Sequence, residues 1–222
     1  MGIITWVAQR TLGLAIRQGL GWPQRAAAFA KKVEPLNMSD RPSTTEIERV
    51  RHDAELIYSR TDVEAALDRM AAEIGARIGD RDPLLLAVMI GGLSPLGALL
   101  PRLQFPLQVD YVHATRYRGE TTGGQLAWMH KPGMSLKDRT VLIVDDVLDH
   151  GITLAAIVDD CRAAGAREVL TAVLVTKNMP NRTELKEADF CGLRADDRYL
   201  FGWGMDYRSY LRNADGIYAA RI

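Results

Sequence analysis

The segment VLIVDDVLDHGITL, Val141 to Leu154, runs a string of aliphatic side chains into Asp145, Asp146, Asp149 and His150, then turns at Gly151 into a helical pattern. Carboxylates are costly to desolvate, so their place at the mouth of an apolar strand calls for a counterpart: a metal, a sugar, a transferable proton or water. In open parallel sheets, ligands bind beyond the carboxyl ends of the strands. A short loop entering a helix also presents free N–H groups and the positive end of the helix dipole, which seats an anion. Gly151 permits a tight, left-handed bend, and the Thr153 hydroxyl can donate to a phosphate oxygen. Asp145 and Asp146 cannot hold that phosphate themselves, whereas vicinal sugar hydroxyls would donate to them. A phosphate seat beside a diol clamp points to a phosphorylated ribose.

Outward from this segment, the pattern predicts alternating strands and helices. A helix is expected from Thr45 to about Leu56. A second, with Thr61 and Glu64 in capping-box spacing, lines Val63, Leu67, Met70 and Ile74 along one face. Pro83 to Ile90 reads as a strand buried on both faces and broken by Gly91-Gly92, and LSPLGALLPRL after it as helical. Gln108 to Tyr117 alternates as a strand, RGETTGG (118–124) reads as a mobile excursion, and QLAWMH as a returning strand. Leu154 to Ala164 is expected to be a helix ending at Gly165, Glu168 to Thr176 another buried strand, and YLFGWGMDYRSYLRN a strand with irregular ends. Continuous aliphatic strands joined by helices mean a parallel sheet covered on both faces, an α/β domain.

Composition narrows the function classes. The 28 basic and 28 acidic residues balance, so no global charge calls for nucleic acid or an anionic membrane. Cys161 and Cys191 form no C-x-x-C pair, which argues against a disulfide framework or structural zinc and fits a reducing compartment. No apolar run approaches the ~20 residues of a membrane span. Residues 1–33 carry five basic residues and no acidic one, with Ile3, Ile4, Val7, Leu14 and Ile16 at roughly helical spacing. The expectation is an accessory basic extension over residues 1–37, helical or disordered, or upstream sequence ahead of a start at Met38; a membrane-surface helix or organelle address is the alternative.

Two acidic residues, a short apolar pair and then Asp-x-Gly-x-Thr, as in Asp145 to Thr153, resemble the binding motif for 5-phosphoribosyl-1-pyrophosphate (PRPP) in type I phosphoribosyltransferases. VMIGGL resembles that family's pyrophosphate loop, often built on a non-proline cis peptide, and VDYVHATRYRGETTGG its mobile loop, with Tyr117 at the recurrent aromatic beside Arg116. LVTKN and DDRYLFGWGMDYRSYLRN resemble the 6-oxopurine branch, the hypoxanthine-guanine enzymes. The likeness covers Met38 onward and is strongest over Val109 to Asn213. It implies a central parallel sheet flanked by helices with a small hood, in a phosphoribosyltransferase domain over residues 38–222.

The resemblance implies the following roles. Asp145 and Asp146 would hold the ribose hydroxyls, and Asp149, His150, Gly151, Ile152 and Thr153 the 5-phosphate, with Asp149 also the catalytic base. Ile90, Gly91, Gly92 and Arg212 would contact pyrophosphate. Lys177 would donate to the purine 6-oxo group, which favours 6-oxopurines over adenine; Tyr199 would stack on the base and the Leu200 backbone meet its edge. Mg²⁺ would sit with Asp206, Asp145 and Asp146. The implied partners are PRPP and a 6-oxopurine base, with no nucleic acid and no transmembrane segment, in a cytoplasmic homodimer or homotetramer.

Some positions depart from commoner members. Ile90 stands where a basic residue often precedes the glycine pair, and Arg116 is a candidate replacement cation. His150 stands where threonine is common, acting through a protonated ring or only its backbone N–H. Preference for xanthine, a PRPP-sensing regulator that binds nucleic acid, and an inactive structural subunit are the competing readings. The balanced charge and the joint presence of Asp149, Lys177 and Asp206 favour the enzyme.

Overall fold

The computed structural model describes residues 41–116, 126–180, 182 and 184–221. Helix α1 (Thr44–Asp53) opens with the Ser43 side chain accepting from the Glu46 N–H. Strand β1 (Glu55–Tyr58) leads directly into α2 (Arg60–Ile78). The α2 capping box is Ser59 with Asp62, two residues ahead of the Thr61–Glu64 pairing that the sequence offered. Two hydrogen bonds from Ser59 hold the Asp62 carboxyl below its ordinary range. The first helix also stops short of Leu56, which instead pairs with Tyr218 in a sheet.

Next come β2 (Leu84–Val88), α3 (Leu93–Leu99) with a 3₁₀ turn (Leu100–Arg102), and β3 (Gln108–Arg116). They are followed by β4 (Leu126–His130), β5 (Thr140–Leu148), α4 (Ile152–Ala163) and β6 (Glu168–Asn178). The chain closes with β7 (Phe190–Asp196), β8 (Leu200–Phe201) and β9 (Ile217–Ala219). The basic extension over residues 1–37, Tyr117 and the 118–124 excursion fall outside the described residues.

Six strands form one sheet in the order β4-β3-β2-β5-β6-β7, parallel throughout except for β4. Alternation along the strands divides the core. Leu85, Leu142 and Leu174 pack with Leu67, Met70 and Ile74 of α2. Leu84, Ile143 and Val173 pack on the other face with Ile157, Val158 and Cys161 of α4. Each such fully buried aliphatic contributes about 1.5–3 kcal/mol, so both faces hold the sheet rigid behind its carboxyl edge.

A smaller antiparallel sheet, β1-β9-β8, makes the hood. Beneath it, Ile47 and Val50 of α1 meet Phe201, Tyr207 and Leu211. The stretch expected as an irregular strand is therefore mostly turns: only Leu200–Phe201 is strand, followed by isolated bridges Gly202–Met205 and Tyr207–Tyr210. Positive φ angles at Gly202, Trp203, Gly204, Arg208, Ser209 and Leu211 fold it back on itself.

Candidate active site

Asp145 and Asp146 are not past the end of their strand, as the aliphatic run suggested, but inside β5, which continues to Leu148. They still stand at an edge. Pairing of β5 with β2 stops at Ala87–Val144, while pairing with β6 continues through Leu148–Thr176. The acidic pair thus lies where one neighbouring strand has ended, opening one side of β5.

A cleft of about 450 Å³ lies there. Its walls bring together Gly91, Asp145, Asp146, Asp149, Lys177, Tyr199, Leu200, Asp206 and Arg212, which belong to four separate stretches of the sequence. Met89, Val147 and Met205 add an apolar lining. Nine of the sequence-named positions thus converge. The Asp146 N–H donates to Asp145 Oδ1 at 2.9 Å. Burial, then the neighbouring Asp146 charge, pushes the Asp145 carboxyl well above the usual carboxylate range. Burial also raises Asp146, against the pull of its hydrogen bond with Asp145 and of Arg212. Ligand hydroxyls donating to this buried pair would favour its charged form, and ribose supplies such donors.

The loop to α4 turns at Gly151, with φ of +80°. A Cβ there would lie 2.6 Å from the Leu185 carbonyl oxygen, so both conformation and space require glycine. No side chain caps α4, leaving its first-turn N–H groups available for an anion. Ile152 and His150 are exposed and Thr153 is half-buried beside this turn; His150 Nδ1 is 3.3 Å from Asp149 Oδ1.

Asp149 Oδ1 is a buried acceptor with no hydrogen-bond partner among the described residues. The Lys177 ammonium lies 3.7 Å from it and 3.2 Å from Asp197, on a side chain only 13% exposed. Asp197 carries no site signal of its own in the sequence, only adjacency within the DDR run before Tyr199. Tyr199 is 40% exposed and lines the cleft, its ring braced edge-on by Tyr207 at 5.4 Å. Leu200, beside it, is buried in β8.

Arg212 also lines the cleft. Its Nη2 is 2.7 Å from Asp206 Oδ1 and its Nη1 is 4.0 Å from Asp146, while also donating to the Gly204 carbonyl. The backbones of Gly204 and Gly91 touch: a Cβ on Gly204, whose φ is +109°, would collide with the Gly91 oxygen. The peptide between Met89 and Ile90 is cis, as the family likeness implied. The Ile90 side chain is 50% exposed, and Gly92 donates to the Val88 carbonyl at 2.8 Å. Arg116 is the last residue of β3.

Mg²⁺ commonly uses one or two protein carboxylates plus substrate oxygens. Among the described residues no three His, Cys, Asp or Glu side chains form a ready cage. Asp145, Asp146 and Asp206 nevertheless line one cleft, a hard-oxygen set that fits a cation arriving with a phosphorylated substrate.

The model of the phosphoribosyl transferase domain matches residues 53–209, more than half of the chain, and the chain belongs to that family. Its relatives point to one branch. The hypoxanthine-guanine-xanthine phosphoribosyltransferase of Tritrichomonas foetus is 26% identical over 176 residues, covering 79% of this chain and 93% of that protein. The hypoxanthine-guanine phosphoribosyltransferase of Bacillus subtilis is 26% identical over 166 residues, covering 74% and 92%. A crystal structure of a hypoxanthine phosphoribosyltransferase from Staphylococcus aureus superposes with a TM-score of 0.73 at 20% identity, covering 81% and 97%, and so shares the fold.

Proposed function

We propose that the chain works in purine salvage, transferring the 5-phosphoribosyl group of PRPP to hypoxanthine and guanine to give IMP, GMP and pyrophosphate. The observation that carries this reading is the pairing of the unsatisfied Asp149 Oδ1 with the Lys177 ammonium, 3.7 Å apart in one cleft. A 6-oxopurine presents a carbonyl acceptor and a ring N–H side by side on one edge, which matches a lysine donor and a carboxylate acceptor. Adenine places a donor where the carbonyl would be, and faces the lysine unfavourably.

Asp145 and Asp146 accept from the ribose hydroxyls, the first turn of α4 with Thr153 holds the 5-phosphate, and the Tyr199 ring stacks on the base. As the bond from the anomeric carbon to pyrophosphate breaks, a purine ring nitrogen forms the new bond to that carbon. Asp149 takes or shares the proton the purine gives up, and the bonding pair leaves with pyrophosphate beside Arg212. Mg²⁺, held through Asp206 with Asp145 and Asp146, would neutralise leaving-group charge. Retention of base-side and ribose-side groups in the same cleft supports an enzyme rather than a regulator that only senses PRPP.

The proposal extends to a cytoplasmic homodimer or homotetramer. Free Cys161 and Cys191 support a reducing compartment, and no helix among the described residues is long and apolar enough to cross a membrane. Exposed Leu93 offers apolar area for self-association.

The test is nucleotide formation from PRPP and Mg²⁺ with hypoxanthine, guanine, xanthine and adenine offered in parallel. The expected result is conversion of hypoxanthine and guanine, none of adenine, and a loss of about 10²- to 10⁴-fold in Asp149→Asn. Xanthine belongs in the panel because one relative carries it in its name. PRPP binding without turnover on any base would sink the salvage reading.

A further inference from the structure

Arg182, in the loop after β6, has no part in the cleft lining, yet its guanidinium is spent on backbone close to the chemistry. Nε donates to the Asp149 carbonyl at 2.7 Å, and Nη1 to the Lys186 carbonyl at 2.6 Å. Nη2 donates to the Leu148 carbonyl at 3.2 Å and to the Lys177 carbonyl. Four carbonyls thus share one half-buried side chain. Three of them, those of Leu148, Asp149 and Lys177, lie where the β5–β6 pairing stops, at Leu148–Thr176, so the guanidinium continues the cross-link after the ladder gives out. A second contact points the same way: the Leu185 backbone from this loop fills the space a Cβ on Gly151 would need. The loop buttresses both the phosphate turn and the lysine strand.

We propose that Arg182 is a positioning residue, which fixes the separation of Asp149 and Lys177 across the purine site. This rests on the roles given to those two residues above. A planar fork with five N–H groups can serve several carbonyls at once; a lysine ammonium, with three donors on a flexible stem, cannot reproduce that geometry. Without the fork the two strand ends drift, and a displacement near 1 Å costs about 100-fold in rate.

The experiment compares Arg182→Ala and Arg182→Lys with the wild type and with Arg194→Ala, a control whose arginine pairs with Glu187 on the surface. Steady-state constants for PRPP and hypoxanthine are measured alone and with millimolar guanidinium or ammonium, alongside far-UV circular dichroism of the ligand-free proteins. The expected result is a folded Arg182→Ala with kcat/KM for both substrates down about 100-fold, partly restored by guanidinium but not by ammonium. Arg182→Lys should fall nearly as far, and Arg194→Ala should match the wild type. Wild-type constants in a folded Arg182→Ala overturn the proposal, as does a loss that follows only the folded fraction. If Arg182→Ala does not fold, Arg182→Lys decides alone: wild-type constants there reject the role. No turnover by the wild type rejects the salvage reading and this proposal with it, whereas turnover unchanged in both variants rejects only Arg182.

Discussion

Lys177 is expected to do more at the base than a surface lysine could. It is largely buried between Asp197 and Asp149, so its ammonium arrives already oriented, with donor capacity to spare. Replacing it with methionine keeps much of the packing and removes the donor. A hydrogen bond from a charged group contributes about 1.5–3 kcal/mol, so kcat/KM for hypoxanthine should fall roughly 10- to 150-fold, with a smaller change in the KM for PRPP. Asp145 should show the opposite balance of stability and activity. Burial and the Asp146 charge disfavour its ionised form in the folded chain, a cost the amide of Asp145→Asn does not carry, while the amide oxygen can still accept from the Asp146 N–H. That variant should melt higher than the wild type without ligand near neutral pH and bind PRPP more weakly. A lower midpoint in differential scanning calorimetry would contradict this account. Among the nine converging positions, Asp145, Asp146 and Asp149 could be found directly in the sequence, through the local motif that runs to Thr153. Asp197 and Arg182 could not: Asp197 lies inside the DDRYLFGWG likeness but acts through Lys177, twenty residues earlier, and Arg182 reaches back over thirty residues to Leu148 and Asp149.

At the scale of elements, α4 carries a clean pH prediction. Cys161 is buried on its sheet-facing side, and burial pushes its thiol up from an ordinary 9.0 to about 11. A thiol raised in the folded state favours folding while it stays protonated, so its contribution is intact below pH 9 and fades as pH rises through 11. Urea titrations of wild type and Cys161→Ala should therefore converge in stability between those values, with the wild type losing more. Equal slopes would refute the assignment. Elements whose signals are local were readable: the buried strands, α2 with its apolar face, and α4 ending before Gly165. Those set by remote partners were not. Leu56 follows a helical pattern, but pairing with Tyr218 places it in β1. Strand β7, with the sequence FCGLRAD, lacks the aliphatic run that marked its neighbours and is strand because β6 templates it through Ala172 to Asn178. The DYRSY stretch alternates like a strand, yet the turns that seat Asp206 and Arg212 need the positive φ values found there.

Across the whole molecule, the hood depends on contacts between the two ends of the described fold. Phe201 has no solvent exposure, stacks on Tyr218 at 5.4 Å and shares a cluster with Ile47 and Val50 of α1. Phe201→Ala should cost about 3–5 kcal/mol in denaturant unfolding; a cost under 1 kcal/mol would mean the hood contributes little to the cooperative unit. This arrangement also bears on synthesis. The ribosome releases α1 well before β9, and β9 joins β1 to β8. While translation is under way, the strands carrying the acidic pair and Lys177 can pair, but the wall carrying Tyr199 and Leu200 lacks its closing strand. On the proposed roles, a nascent chain stopped before Ile217 would hold the pieces of a sugar-phosphate seat without a finished base pocket. Three residues, Ile217 to Ala219, would therefore decide whether the strands made before them gain that wall.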